Sequence, residues 1–330
     1  MRIAVIGAGS WGTTVASLAA RTNPVVLWAR RPELAEAINS TGENPDYLAG
    51  HRLPHGLRAT SDPGEAADGA DAVVMAVPSH GFRDVLTALA PAVGDDLPIL
   101  SLTKGIEQDS LMRMTEVTAS VLPRHDPTRS GVMTGPNLAR EVIAGAPAAA
   151  VIGMVDTATA ALLQGALMDP TFRVYTNTDL TGCELAGSLK NVMAIAAGMA
   201  RGLGFGQNTL AALITRALAE ITRLGVAMGG RSETFAGLAG MGDLIATCES
   251  DDSRNNRVGM ALASGRKLDD IVSEMQMVAE GVKTARPVLG LATKHRIEMP
   301  IATQVARVLY EGAHPREAVL ALMTREARSE

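Results

Sequence analysis

The chain has 330 residues, about twice what one domain ordinarily takes, so two domains are expected. With 47% hydrophobic and 20% charged residues it is neither disordered nor fibrous. Only 3% aromatics and a net charge of −5 exclude a generic nucleic-acid or anionic-membrane binder. Cys183 and Cys248 lie far apart with no Cys-x-x-Cys partner, and the six histidines lack ligand spacing, so free thiols and no metal are expected. Met1-Arg2 leads straight into a strand-like run, and the longest apolar stretches fall well short of a bilayer span. A cytoplasmic chain without stable membrane insertion is the expectation.

In chain order, residues 3–6 form an apolar, β-branched run closed by glycines. A helix is predicted over 11–21 and a second strand over 25–28. Further strands are predicted over 72–77, 99–102, 131–134, 148–152 and 172–175, with helices over 81–90 and 111–122. Apolar strands separated by helices predict a parallel sheet covered on both faces. Beyond about residue 181 no strand pattern appears. Helices are predicted over 192–200, 211–224, 268–275, 302–310 and 315–328, with Arg216, Glu220 and Arg223 on the polar side of the second. The lysine Lys190 precedes the first of these and is placed at its start.

Gly7-Ala8-Gly9-Ser10-Trp11-Gly12 fits G-x-G-x-x-G, follows a strand and opens a helix, which is the context the motif requires. Gly7 permits the tight turn, Gly9 lets backbone approach a pyrophosphate, and Gly12 lets the helix pack on the strand. The helix N-terminus then offers amide donors to phosphates. An α/β fold follows: a Rossmann-type dinucleotide-binding domain over 1–181 and a mostly α-helical substrate-binding and catalytic domain over 182–330. At the end of the second strand, Arg30 and Arg31 stand where an NAD site carries an acid, so a 2′-phosphate, and hence NADP, is admitted. The competing reading makes them solvated loop charges, with Glu33 as the acid of an NAD site.

Lys104 follows a strand end, where open α/β sheets bind ligands. Lys190 borders an apolar stretch, and desolvation would lower its pKa toward that of a general base; a snorkelling lysine is the bland alternative. Asp243 lies among glycines and apolar residues, so it requires a cation or hydrogen-bond donor nearby, with Lys190 a candidate. Ser253-Arg254-Asn255 looks like a capped helix start able to take an anion, or else an ordinary capped helix with solvated arginines.

Together with Val77-Pro78-Ser79-His80, Thr103-Lys104-Gly105, Gly135-Pro136, Leu189-Lys190-Asn191-Val192, Gly242-Asp243-Leu244 and Glu280-Gly281, these motifs resemble, over nearly the whole chain, the bacterial-type NAD(P)-dependent sn-glycerol-3-phosphate dehydrogenase family. The resemblance implies a 6-phosphogluconate-dehydrogenase-like helical domain. It implies reversible hydride transfer between dihydroxyacetone phosphate and sn-glycerol 3-phosphate, supplying glycerophospholipid synthesis. Lys190 would accept the proton of the C2 hydroxyl. Lys104 would contact substrate and cofactor, and Gly135, Asp243, Ser253, Arg254 and Asn255 would hold the substrate. Asn137 stands at a substrate position where the family typically has Ser or Thr. Ser10, Trp11, Arg30, Arg31, Ala139, Arg254, Val278 and Glu280 would contact NADP or NAD, NADPH being favoured. A homodimer is left open, and no nucleic-acid partner is expected. Two rivals are a hydroxy-acid dehydrogenase or ketopantoate-reductase-like enzyme and a non-catalytic NADP-sensing protein. The second has no need of Lys104, Lys190 and Asp243 together.

Overall fold

The computed structural model describes residues 1–275 and 277–324. Eight strands form one sheet: β1 (Ile3–Ile6), β2 (Val25–Trp28), β3 (Leu57–Thr60), β4 (Ala72–Met75), β5 (Ile99–Ser101), β6 (Ser130–Thr134), β7 (Ala148–Met154) and β8 (Phe172–Asn177). Their order is β3-β2-β1-β4-β5-β6-β7-β8. Intervening helices are α1 (Ser10–Ala19), α2 (Pro32–Thr41), α3 (Pro63–Ala67), α4 (Phe82–Leu89), α5 (Met114–Val121), α6 (Ala139–Ile143) and α7 (Thr157–Leu167). The central strands β1, β2, β4 and β5 are buried throughout, because helices cover both faces.

Two corrections to the sequence reading concern this sheet. It is not wholly parallel: β7 pairs antiparallel with β6, and β8 then runs parallel to β7. The link from β6 to β7 contains only the five-residue α6. That is about 7 Å of helix against about 16 Å of strand, too short to carry the chain back for a parallel crossover. The sequence reading also omits β3 and α2. β3 is a four-residue edge strand whose Arg58 is exposed, so it lacks an apolar run. α2 opens directly after the arginines, with Pro32 at its first position and Leu34, Ala35 and Ile38 facing inward.

The rest of the described chain is helical: α8 (Leu180–Gly202), α9 (Gln207–Ala227), α10 (Ser232–Ala236), α11 (Asp243–Glu249), α12 (Arg254–Ala263), α13 (Leu268–Glu274), α14 (Glu280–His295), α15 (Pro300–Tyr310) and α16 (Pro315–Met323). A π-helical turn, Leu238–Gly242, leads into α11. The predicted last helix extends to residues 325–328, which lie outside the described residues. α8 is the axis of the helical core, buried from Gly182 to Ala200 by α9, α11, α12, α14 and α15. α12 crosses it at close range. A Cβ on Gly198 would lie 2.0 Å from the Asn256 carbonyl oxygen, and one on Gly259 2.1 Å from that of Ile195.

Two further placements differ from the sequence reading. Lys190 lies near the midpoint of the 23-residue α8, because the amphipathic turns before it continue the helix back to Leu180. Glu220 is buried rather than on a solvated face: its carboxylate accepts the Ile301 N–H at 2.8 Å and caps α15. No helix among the described residues is long and apolar enough to cross a membrane.

Candidate active site

A cleft of about 560 Å³ runs from the glycine loop, past the carboxyl ends of the parallel strands, to α11 and α12. Every residue assigned to the site from sequence lines it except Gly135, whose carbonyl reaches it through Lys104.

At one end the backbone is shaped as a cradle. Gly7 has φ +124°, and a Cβ there would lie 2.6 Å from the Ala76 oxygen. A Cβ on Gly12 would lie 2.0 Å from the Gly7 oxygen, whereas one on Gly9 would meet nothing within 4 Å. Two glycines thus serve close packing and one leaves space. The N–H groups of Ser10, Trp11 and Gly12 have no acceptor among the described residues. Free amides at an open helix start fit the pyrophosphate of a dinucleotide. Trp11 rests its ring against Phe172, with centroids 6.2 Å apart, and its buried Nε1 has no partner among the described residues.

The two arginines after β2 are not equivalent. Arg31 is ion-paired with Asp46, whose hydrogen bond and charge raise the guanidinium pKa. Arg30 is exposed, borders the cleft and carries no ion pair or hydrogen bond among the described residues. Arg30 is therefore the guanidinium available to a 2′-phosphate.

Midway along the cleft Asp243, the first residue of α11, binds two ammonium groups. Lys104 Nζ donates to its Oδ2 at 2.7 Å and to the Gly135 carbonyl at 3.0 Å. Lys190 Nζ donates to Oδ1 and to Thr247 Oγ1. Thr134 Oγ1 donates to Oδ2 at 3.2 Å. Two cations and one anion leave this buried cluster with a surplus positive charge. Burial lowers the Lys190 pKa to about 8, aided by Lys104 and opposed by Asp243. Burial alone would raise the Asp243 pKa, but Lys104 and Lys190 together outweigh it and hold the carboxyl below its ordinary range. The amine is thus poised to exchange a proton while the carboxylate stays charged.

At the far end Ser253 Oγ accepts the Asn256 N–H and caps α12. The N–H groups of Arg254 and Asn255 have no acceptor among the described residues. The largely buried Arg254 guanidinium donates to the Val278 carbonyl at 2.7 Å, and Arg257 lines the same end. Free amides, a helix start and guanidinium groups make an anion site. The Asn255 side chain is already committed: its amide donates to Asn191 Oδ1 at 3.0 Å and accepts the Gly281 N–H at 2.9 Å. Asn255 therefore offers its backbone N–H to a ligand. Glu280 is likewise engaged, accepting from Ser79 Oγ at 2.6 Å and Ser79 N at 3.1 Å. The Ala139 carbonyl accepts from Thr14 Oγ1 at 3.3 Å, which anchors α6 to α1 beside the cradle.

Models of the N-terminal and C-terminal regions of NAD-dependent glycerol-3-phosphate dehydrogenase match residues 2–160 and 179–320. The chain belongs to this family. It is 56% identical over 305 residues to glycerol-3-phosphate dehydrogenase [NAD(P)+] 2 of Sphingopyxis alaskensis, covering 92% of this chain and 91% of that one. It is 51% identical to glycerol-3-phosphate dehydrogenase [NAD(P)+] of Geobacter sulfurreducens, over 100% of this chain and 98% of the relative. The crystal structure of glycerol-3-phosphate dehydrogenase from Coxiella burnetii superposes with a TM-score of 0.94 at 38% identity, covering 98% and 99% of the two chains.

In this family member, Asn137 donates its side-chain amide to the Ala149 carbonyl at 2.9 Å, while its buried Oδ1 has no partner among the described residues. Asn137 lines the cleft, but that oxygen is shielded from solvent. The sequence reading missed Thr247, Thr134 and Asn191 in the lysine cluster, and Asp46 at Arg31. Thr247 was findable, four residues after Asp243 on one helical face. Asp46 carries no signal, because only the packing of the loop after α2 brings it to Arg31.

Proposed function

We propose that this chain is an NAD(P)-dependent sn-glycerol-3-phosphate dehydrogenase that interconverts dihydroxyacetone phosphate and sn-glycerol 3-phosphate, a precursor of glycerophospholipids. The observation that carries the reading is Asp243 bridging Lys104 and Lys190 in the same cleft as the glycine cradle. The cradle at Gly7, Gly9 and Gly12, with the N–H groups of Ser10 and Trp11, would hold the pyrophosphate. Arg30 would face a 2′-phosphate, and Ala139, Val278 and Glu280 would border the cofactor. A nicotinamide cofactor held there would supply the hydride-transfer chemistry at C2.

In the oxidative direction neutral Lys190 takes the proton of the C2 hydroxyl. In the reductive direction its ammonium returns that proton to the nascent alkoxide. Lys104 adds a second cation that stabilises negative charge on the same oxygen. Asp243 keeps both amines aimed into the cleft, and Thr247 restricts Lys190. Arg254 and the first N–H groups of α12 would anchor the phosphate, leaving C2 toward the lysines. Gly135 acts through its carbonyl on Lys104, and Asn137 would border the substrate from the cleft wall.

The deciding assay is steady-state oxidation of NADPH with dihydroxyacetone phosphate. Turnover that also occurs with 2-keto acids lacking phosphate, and at comparable kcat/KM, would overturn the assignment. Two coarser readings belong with it. We place the boundary between the halves at 178/179, three residues before the 181/182 read from sequence, because β8 ends at Asn177 and α8 starts at Leu180. Two buried free cysteines suit a reducing cytoplasm.

A further inference from the structure

Three polar residues, Glu184, Ser188 and Asn191, recur along α8 at i, i+4 and i+7, which puts them on one stripe. All are buried, at 3%, 0% and 5% exposure, in a helix whose interior face is otherwise mostly apolar. All three bind one segment of the first half of the chain. Asn191 Nδ2 donates to the Lys104 carbonyl at 2.8 Å, and Ser188 Oγ, which donates to the Glu184 carbonyl at 2.9 Å, also lies 3.3 Å from that of Gly105. The Glu184 carboxylate accepts from Thr115 N at 2.9 Å, Thr115 Oγ1 at 2.7 Å and Arg113 Nη1 at 2.8 Å. The segment from Lys104 to Thr115 is therefore clasped at both ends to the helix that carries Lys190.

Between its two ends the segment folds back on itself, the Leu111 N–H bonded to the Glu107 carbonyl at 3.1 Å and the Glu107 N–H to that of Met112 at 3.0 Å. Leu111 sits at φ 59°, left-handed for a bulky residue, with its side chain against Gly290 of α14. A buried carboxylate is also an expensive way to pack a helix, tolerated only when its partners are in place. Arg113 faces Glu184 and is shared with Glu116, and the Cys183 thiol precedes Glu184 along the chain.

We propose that Glu184 is a positioning residue for the reaction: by holding Arg113 and Thr115 it keeps Lys104 at its station beside Asp243 and Lys190. The inference rests on the reading of Lys190 as the proton-exchanging group. It has a consequence that simple structural support lacks. The charged or titratable groups facing Lys190 are Asp243, Lys104 and Cys248. If Lys104 withdraws, Lys190 loses a like charge and holds its proton more tightly, so the pH midpoint of glycerol 3-phosphate oxidation moves above about 8.

The test uses the full-length enzyme with saturating cofactor. Glu184→Gln keeps the side chain's size but removes its charge. It should lower kcat roughly tenfold or more, as small displacements of a reacting group do, and should move the midpoint upward. If that variant does not fold, Thr115→Val, which deletes only the hydroxyl's bond, should lower kcat by less and move the midpoint the same way. Leu163→Ala, in the α7 core away from the cleft, should lower Tm and leave the midpoint in place. Variants that lose Tm but keep both kcat and midpoint would show that Glu184 only packs. A wild-type enzyme that does not turn over dihydroxyacetone phosphate defeats the functional reading, and this role with it.

Discussion

Lys190 carries its titration on burial more than on its partner. Desolvation lowers its pKa to about 8, Lys104 adds to the fall, and Asp243 only moderates it. The sign for activity follows. Oxidation needs the neutral amine, so its rate should rise as pH increases through about 8; reduction needs the ammonium and should fall over the same range. Stopped-flow rates in both directions between pH 6 and 10 check this, and parallel profiles would remove Lys190 as the proton carrier. Lys190→Ala should lower kcat by at least ~10²-fold while cofactor binding, read by fluorescence titration, persists. The arginine pair separates in the same way. Arg31 is held by Asp46 and Arg30 is not. Arg30→Asp should therefore depress kcat/KM with NADPH far more than with NADH, because a 2′-phosphate would face a carboxylate. Arg31→Asp should do less. Equal ratios in both variants would place the 2′-phosphate elsewhere.

Helix starts set the chemistry at the next scale. α12 is capped by Ser253, presents two unoccupied N–H groups and opens with Arg254. Arg254→Leu removes a charge-assisted contact worth about 1.5–3 kcal/mol. KM for dihydroxyacetone phosphate should then rise roughly ten- to hundredfold, and dihydroxyacetone, lacking the phosphate, should be affected much less. An equal loss for both substrates would transfer the phosphate to Arg257 or Lys104. α15 offers a contrast, because its start is capped by a buried carboxylate outside the cleft. Glu220→Ala leaves the Ile301 N–H buried and unpaired, which costs about 1–3 kcal/mol. Denaturant titration should show that loss with kcat unchanged at 25 °C.

At the scale of the molecule, the cleft draws its residues from both halves: the glycine loop, Arg30 and Lys104 from the sheet, and Lys190, Asp243, Arg254 and Glu280 from the helices. A cofactor touching both should stabilise the chain as one unit, by about 2.7 kcal/mol at a hundredfold excess over Kd. The readout is a single calorimetric transition that shifts upward with NADPH. Two transitions of which only one moves would confine binding to the sheet half. The glycine loop, the strand run after it, the helical second half and most of the residues that line the cleft were legible in sequence because each has a local cause. A turn needs glycine, a buried strand reads as an apolar run, and a capped helix start is written in adjacent residues. What adjacency does not encode fell to tertiary structure. The antiparallel turn at β7, the place of Lys190 at mid-helix, the pairing of Arg31 with Asp46 and the commitment of Asn255 to Asn191 and Gly281 all depend on segments distant in sequence. The lysine that sequence alone nominated has its pKa lowered to about 8 only because folding buries it and brings Lys104 and Asp243 to it, since desolvation and Coulomb interaction depend on distance in space and not along the chain.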